Sequence, residues 1–335
     1  MSRLSNFPER TIVRGLAQIA MVIFLLAAFL IVGSPATAEV TTCSETSTFA
    51  QKACYNSATE AYNLALGKCE NVAEGEQAGC EAAARKELAD SRAVCDEQFS
   101  ARQKVCVELG GGPYLPNGIT PFVFVDPTTG NNYFPLSPAT YEYQSYQAGV
   151  VVERGKVEVT DGTREIAGVT CRVVRDIVTD PSGVVTEDTT DWYAQDDKGN
   201  VWYFGEIAQQ FEDAILVGIE GSWTTGKDGA KPGFIMRATP KKGNVYRQEF
   251  ALGDAEDMAR VVGFVDSIKN LLPANVKLPF QARTGPYLHT QDFTALDPAS
   301  VLEGKPEDKY YAPGVGLVLT IAPDGTKEVL VSIKH

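Results

Sequence analysis

The chain has 335 residues, 43 of them acidic and 30 basic, for a formal charge of −13. That balance repels nucleic acid and anionic membrane surfaces at long range, so neither is expected as a partner. Only two histidines are present, His289 and the C-terminal His335, which leaves little material for histidine-based catalysis.

The first 38 residues read as a secretory signal peptide. Arg3, Arg10 and Arg14 make a basic start, and Ile19 to Val32 is an apolar run of 14 residues. That run is short for a membrane span. Ala36-Thr37-Ala38 is a small-residue cleavage site before Glu39. An uncleaved anchor is the competing reading. Cleavage leaves 27 basic and 42 acidic residues, a charge of −15, and no stable membrane span. A periplasmic or secreted location in a bacterial envelope is expected.

Residues 39–109 carry six cysteines, at 43, 54, 69, 80, 95 and 106. Their spacings of 11 and 15 are close to three and four helical turns, which keeps the sulfurs on one stripe. On one helix such neighbours stand roughly 16 to 22 Å apart, far beyond the about 7 Å between Cα atoms that a disulfide tolerates. Bridges must therefore cross between helices. Pairing from the outside in gives Cys43–Cys106, Cys54–Cys95 and Cys69–Cys80, an antiparallel helical hairpin that turns near Glu74 and Gly75. The same segment is a 26-residue tandem repeat (Gln51–Cys54, Gln77–Cys80 and Gln103–Cys106 align), which produces the mirror symmetry by itself. Another disulfide-linked helical arrangement thus stays open. Thr42-Cys43-Ser44-Glu45 fits a capping box, and Gly75 fits a helix C-cap. Zinc and haem are not expected, because the short ligand spacings and Cys-x-x-Cys-His are missing.

Residues 110–120, beginning Gly110-Gly111-Gly112-Pro113, read as a linker. Residues 121–335 read as a β-rich domain. Val150–Thr160, Thr163–Ala167 and Val169–Thr179 are strand-like, and Asp180–Gly183 is a turn. Asp196-Asp197-Lys198-Gly199 is a second turn, between Asp191–Gln195 and Asn200–Gly205. Further strands are expected at Ala214–Trp223, Tyr246–Leu252, Tyr310–Thr320 and Glu328–Ile333. Ala255–Leu272 is a helix, or a strand followed by a short helix over Asp266–Leu271. The fold class expected is α+β: a stapled hairpin, then a mainly antiparallel sandwich or open barrel.

Three blocks in this domain carry a resemblance. Asp191-Trp-Tyr-Ala-Gln-Asp-Asp-Lys-Gly-Asn-Val-Trp-Tyr-Phe-Gly-Glu206, Tyr133-Phe-Pro-Leu-Ser-Pro138 and Lys309-Tyr-Tyr-Ala-Pro-Gly-Val-Gly-Leu-Val318 resemble a family of exported bacterial proteins of uncharacterised activity. The resemblance spans roughly residues 130 to 335, leaves out the cysteine hairpin, and implies a shared domain without an activity.

Few residues point to chemistry. Trp202 and Phe204 cannot share a sheet face with Val201 and Tyr203, so this strand is covered on both sides or lines a cavity. Trp192, Tyr193, Trp202 and Tyr203 are either core or a ligand-facing aromatic set. Asp191, Asp196, Asp197 and Asn200 are a weak calcium candidate without the ordered calcium loop; a solvated turn is the plainer reading. Cys171 is the odd cysteine, expected as a buried free thiol. His289 reads as an ordinary loop histidine. No cofactor motif and no nucleophile elbow occurs. Three functions fit: an exported non-enzymatic protein whose β domain binds a small or lipidic ligand or an envelope protein, with the hairpin as a rigid arm; a structural protein that oligomerises through the hairpin; and a hydrolase using paired acidic residues.

Overall fold

A computed structural model describes residues 41–116 and 130–335. The expected leader, the end of the expected linker and the first residues of the β-rich domain lie outside the described residues.

Two helices form the hairpin, α1 (Thr42–Cys69) and α2 (Gln77–Leu109). The N-cap of α1 is Thr41, one residue before the expected box, and its reciprocal partner is Ser44 rather than Glu45. The Ser44 hydroxyl reaches the Thr41 backbone just as a glutamate would. The helix ends at Cys69 with Glu70 as its cap, so Gly75 belongs to the connecting turn, at φ +93°. Gly110 caps α2 in the left-handed conformation. Disulfides join Cys43–Cys106, Cys54–Cys95 and Cys69–Cys80, with Cα atoms 5.6 to 5.7 Å apart. Between the helices the buried apolar residues are mostly alanine and cysteine. So thin a core holds two helices poorly, and the bridges supply what it lacks, at about 2–4 kcal/mol each.

The hairpin is docked on the sheet. Ala101 and Val105 of α2 pack with Met258, Phe293, Ala295 and Val301. Arg102 makes a bidentate ion pair with Glu256, at 2.7 to 3.1 Å, with both side chains buried. Glu108 pairs with Arg260, and Lys104 donates to the Val301 carbonyl oxygen.

The rest is antiparallel β-structure. The strands are β1 (Ala139–Gln147), β2 (Val150–Ile166), β3 (Val169–Thr179), β4 (Val185–Gln195), β5 (Val201–Glu212), β6 (Ile215–Gly218), β7 (Trp223–Thr224) and β8 (Lys231–Met236). They continue with β9 (Val245–Arg247), β10 (Glu249–Phe250), β11 (Asp257–Val265), β12 (Tyr287–Thr294), β13 (Glu307–Ala312), β14 (Gly316–Ile321) and β15 (Lys327–Lys334). A short helix, α3 (Pro298–Leu302), sits between β12 and β13. The order is β10-β8-β5-β4-β3-β2-β1-β15-β14-β13-β12-β11-β9, with β6 and β7 also on β5. Pairing of β1 with β15 joins the two ends of the domain.

The two ends of this order, β10 and β9, are consecutive pieces of one segment. Its first half pairs with β11 and its second half with β8. The segment therefore bridges the open edges and curls the sheet into a near-barrel. Gly233 makes the crossing possible: a Cβ there would stand 2.4 Å from the Gln248 carbonyl carbon and 2.5 Å from Arg247 O. These are backbone atoms and cannot swing aside. Gly233→Ala is expected to cost more than about 2 kcal/mol in urea denaturation. An unchanged midpoint would contradict this account of closure.

Several expected elements differ. Tyr310–Thr320 is two strands, because Pro313-Gly314 turns the chain between β13 and β14. Ala255–Leu272 contributes strand β11 and no helix. Val150–Ile166 is one strand whose register slips between Val159 and Thr163. Tyr246–Leu252 is split by the crossing into β9 and β10. His289 lies in β12, not in a loop. β1, β8 and β12 have no counterpart among the expected strands.

Candidate binding site in the barrel lumen

Alternation decides what faces the lumen. On β4 and β5 the cross-strand pairs Asp191–Glu206 and Tyr193–Tyr203 point inward. Their neighbours Trp192, Trp202 and Phe204 point the other way, into a separate buried cluster with Ile166, Val169 and Cys171. The four aromatic candidates are thus two pairs with different roles. Trp192 and Trp202 are outer core, with the Arg164 guanidinium 4.2 Å over the Trp192 ring. Tyr193 and Tyr203 stack inside at 4.7 Å, and Phe134 meets the edge of Tyr193 at 5.1 Å.

A cavity of 170 Å³ opens beside them. Its wall includes Phe134, Tyr143, Tyr193 and three carboxyls, Asp176 of β3, Asp191 of β4 and Glu328 of β15. The three sequence blocks converge here. Asn131 ties the first two together, accepting at its amide oxygen from Tyr133 and Phe134 and donating to Gly199 O. The third is tied by Gly314 N, which donates to Asn132 O. Each block supplies lining residues: Phe134 and Pro135, Asp191 and Tyr193, Val315 and Leu317.

The acidic side chains continue around the lumen. Glu206 faces Asp191, Glu249 lies near Glu206 and Asp257, and Asp292 and Glu307 flank Lys309. Among the strongest charge influences on these carboxyls, Lys309 is the one cation. Burial pushes Asp191 up to about 6, opposed by the hydrogen bond that Tyr203 Oη donates to it at 2.5 Å. Burial and the Asp191 charge push Glu206 up to about 8. Burial, then Glu307, pushes Glu328 up to about 7. Asp176 is driven well above the usual range by burial and by the charges of Glu328 and Asp191. Burial pulls Lys309 down, but Asp292 and Glu307 outweigh it and hold the ammonium well above its ordinary value. The lumen gathers more carboxyls than cations, and burial together with their mutual repulsion disfavours the charged forms.

The calcium candidate does not assemble. Asp196 spends its oxygens on Lys198 N, Asn200 N, Asn200 Nδ2 and Trp202 Nε1, which closes the turn. Asp197 is exposed, and Asp191 faces the lumen instead. Among the described residues no three His, Cys, Asp or Glu side chains converge to hold a metal ion. His289 Nε2 pairs with Asp308 at 2.6 Å and its ring stacks on Tyr310. It alternates with Thr290, whose neighbours line the inside, so it faces away from the lumen. Cys171 is fully buried, and burial pushes its thiol up to about 12. A native sample is expected to leave it unlabelled by a thiol reagent until the chain is unfolded; rapid labelling of the native protein would contradict that burial.

No protein-family model and no curated protein matches the chain. Two solved structures align with 61% of it. One is a Bacteroides fragilis NCTC 9343 protein described as exported, with a YmcC-like fold; it is 13% identical, covered over 100% of its length, with a TM-score of 0.32. The other is a Parabacteroides distasonis ATCC 8503 protein described as a lipoprotein; it is 10% identical, covered over 99%, with a TM-score of 0.30. At these scores the likeness carries no argument.

Proposed function

We propose that this is an exported, non-enzymatic protein whose barrel lumen binds a small polar ligand, with the stapled hairpin as a fixed arm for an envelope partner. The observation that carries the reading is the 170 Å³ cavity, lined by residues from all three blocks that resemble the exported bacterial family. Its size fits a small molecule better than a lipid chain, and Asp176, Asp191 and Glu328 supply polar groups in a wall otherwise mostly aromatic and aliphatic. The three disulfides fit an oxidising, extracytoplasmic compartment. The hairpin is anchored by the buried Arg102–Glu256 pair, and Phe49 and Leu64 stand exposed on it, as a partner-docking arm requires.

Intact mass under native and denaturing conditions, on protein purified from its own envelope, tests the ligand. Extra mass that survives native conditions and is lost on denaturation is expected. A bare protein under both conditions would remove the small-molecule reading.

A second reading, an acidic-residue hydrolase, draws on the Asp191–Glu206 pair across β4 and β5, whose raised carboxyls could act as acid and base. It stands only if an observed hydrolysis is lost in both Asp191→Asn and Glu206→Gln.

A further inference from the structure

A second cavity lies outside the lumen, where the base of the hairpin meets the bridging segment. Its volume is 620 Å³, inside the about 300–1,000 Å³ of small-molecule sites. Leu109 of α2, Tyr114, Phe234 of β8, Val245 of β9 and Phe250 of β10 give it apolar walls. Among the described residues it shares none with the lumen cavity. Two cations, Lys231 and Arg247, border it against one carboxylate, Asp228, among the described residues. In a chain of formal charge −13 this local balance runs the other way. Arg247 is the decisive group. It is 8% exposed, and its Nε is buried without a hydrogen-bond partner. Its guanidinium lies 4.8 Å from the centre of the Phe250 ring and 5.6 Å from that of Tyr114, contacts that meet none of its N–H groups. The carboxylate that acts on it most strongly is Glu256, whose oxygens are taken by Arg102 and Gly253 N. Burial accordingly holds the Arg247 guanidinium below its usual range. Lys231 donates to Tyr114 O at 2.7 Å and has no carboxylate partner among the described residues. A buried cation left unpaired is costly, and an anion beside it would offset that cost.

We infer that this cavity takes an anionic amphiphile, with a carboxylate or phosphate-ester head against Arg247 and Lys231 and an apolar tail along Leu109, Phe234, Val245 and Phe250. The space matches the liquid volume of about twenty waters, which sets roughly that number of heavy atoms as the upper size of the ligand. Leu115 and Asp228 on its wall are exposed, so the cavity opens to solvent and a ligand enters without unfolding the chain. An open site exchanges its ligand during purification, so added probe reads it rather than retained mass. The site stands apart from the lumen and does not rest on the lumen-binding reading.

The test is calorimetric titration of the full chain near neutral pH with decanoate, with decyl phosphate and with decan-1-ol, the uncharged counterpart, each below the concentration at which it aggregates. Binding of at least one anion is expected, with the alcohol weaker by about tenfold or more. The tighter of the two anions identifies the head. Arg247→Met is expected to weaken that anion by about tenfold and to leave the alcohol unchanged, with a smaller loss of the same kind in Lys231→Met. Val157→Phe, in the wall of the lumen cavity, is expected to leave the anion's affinity unchanged. The alcohol comparison needs no variant, so it stands even where a substitution unfolds the chain. Failure of both anions to bind would overturn the inference, and so would equal binding of anion and alcohol. A loss in Val157→Phe with none in Arg247→Met would put the anion in the lumen and overturn the second site. Failure of both anions leaves the lumen-binding reading, which native mass tests, untouched.

Discussion

Between about pH 5 and about pH 9 the folded chain is expected to lose about 3 kcal/mol or more of stability. Burial raises Asp191 to about 6, Glu328 to about 7 and Glu206 to about 8. In the unfolded chain these carboxyls titrate near their ordinary values, about 4. Below that range both states hold the protons and no penalty is felt. Through the window between, the folded state keeps protons that the unfolded state has released, so each rise in pH favours unfolding. The part of the loss carried by these three is complete once Glu206 has ionised in the folded protein, above about pH 8. Glu206 and Glu328 are partly exposed, and solvent screening keeps the loss well below the sum of the three shifts. Urea midpoints measured across this range check the sign. A flat or rising profile would mean that the inner carboxyls are not held in a low-dielectric space.

Glu256→Ala is expected to cost about 3–5 kcal/mol and to loosen the hairpin from the sheet. The substitution leaves the Arg102 guanidinium buried, beside a small space that Val105 and Met258 also line, without its carboxylate. Glu256 also accepts from Gly253 N, so the turn before β11 loses a bond as well. Replacing both partners, Arg102→Met with Glu256→Leu, is expected to recover most of the loss, since a buried ion pair gains little over packed apolar groups. Amide exchange over Ala101–Cys106 separates docking from folding. Faster exchange there in Glu256→Ala, with the barrel strands still protected, is the expected pattern. A cost below about 1 kcal/mol would put the pair among weak surface bridges.

The hairpin was legible in the sequence because cysteine spacing and helix geometry are both periodic, and few pairings satisfy both. The docking was not. Arg102 and Glu256 are 154 residues apart, and each reads as an ordinary charged surface residue. The lumen was hidden for a related reason. On β3, Asp176 alternates with Arg175 and Ile177, and on β15 Glu328 sits between Lys327 and Val329. A polar residue that faces an enclosed lumen gives the same alternation as one facing bulk water. The apolar face here is partly the outer one, under Trp192, Trp202 and Phe204, so pattern alone cannot say which side encloses space. The Tyr141–Tyr143–Ser145 alternation in β1 could have revealed that strand, since all three are inward and buried. The bridging segment 245–250 could not be read, because one short stretch serves two sheet edges.

The most direct test compares retained mass in the native wild-type protein and in Val157→Phe. Val157 borders the cavity, and a phenyl group there would fill much of the space without removing a carboxyl. Both proteins should show three disulfides under denaturing conditions. Extra mass on the wild type and none on folded Val157→Phe is the result expected of a lumen binding site. Extra mass retained equally by both, or absent from both, would contradict it.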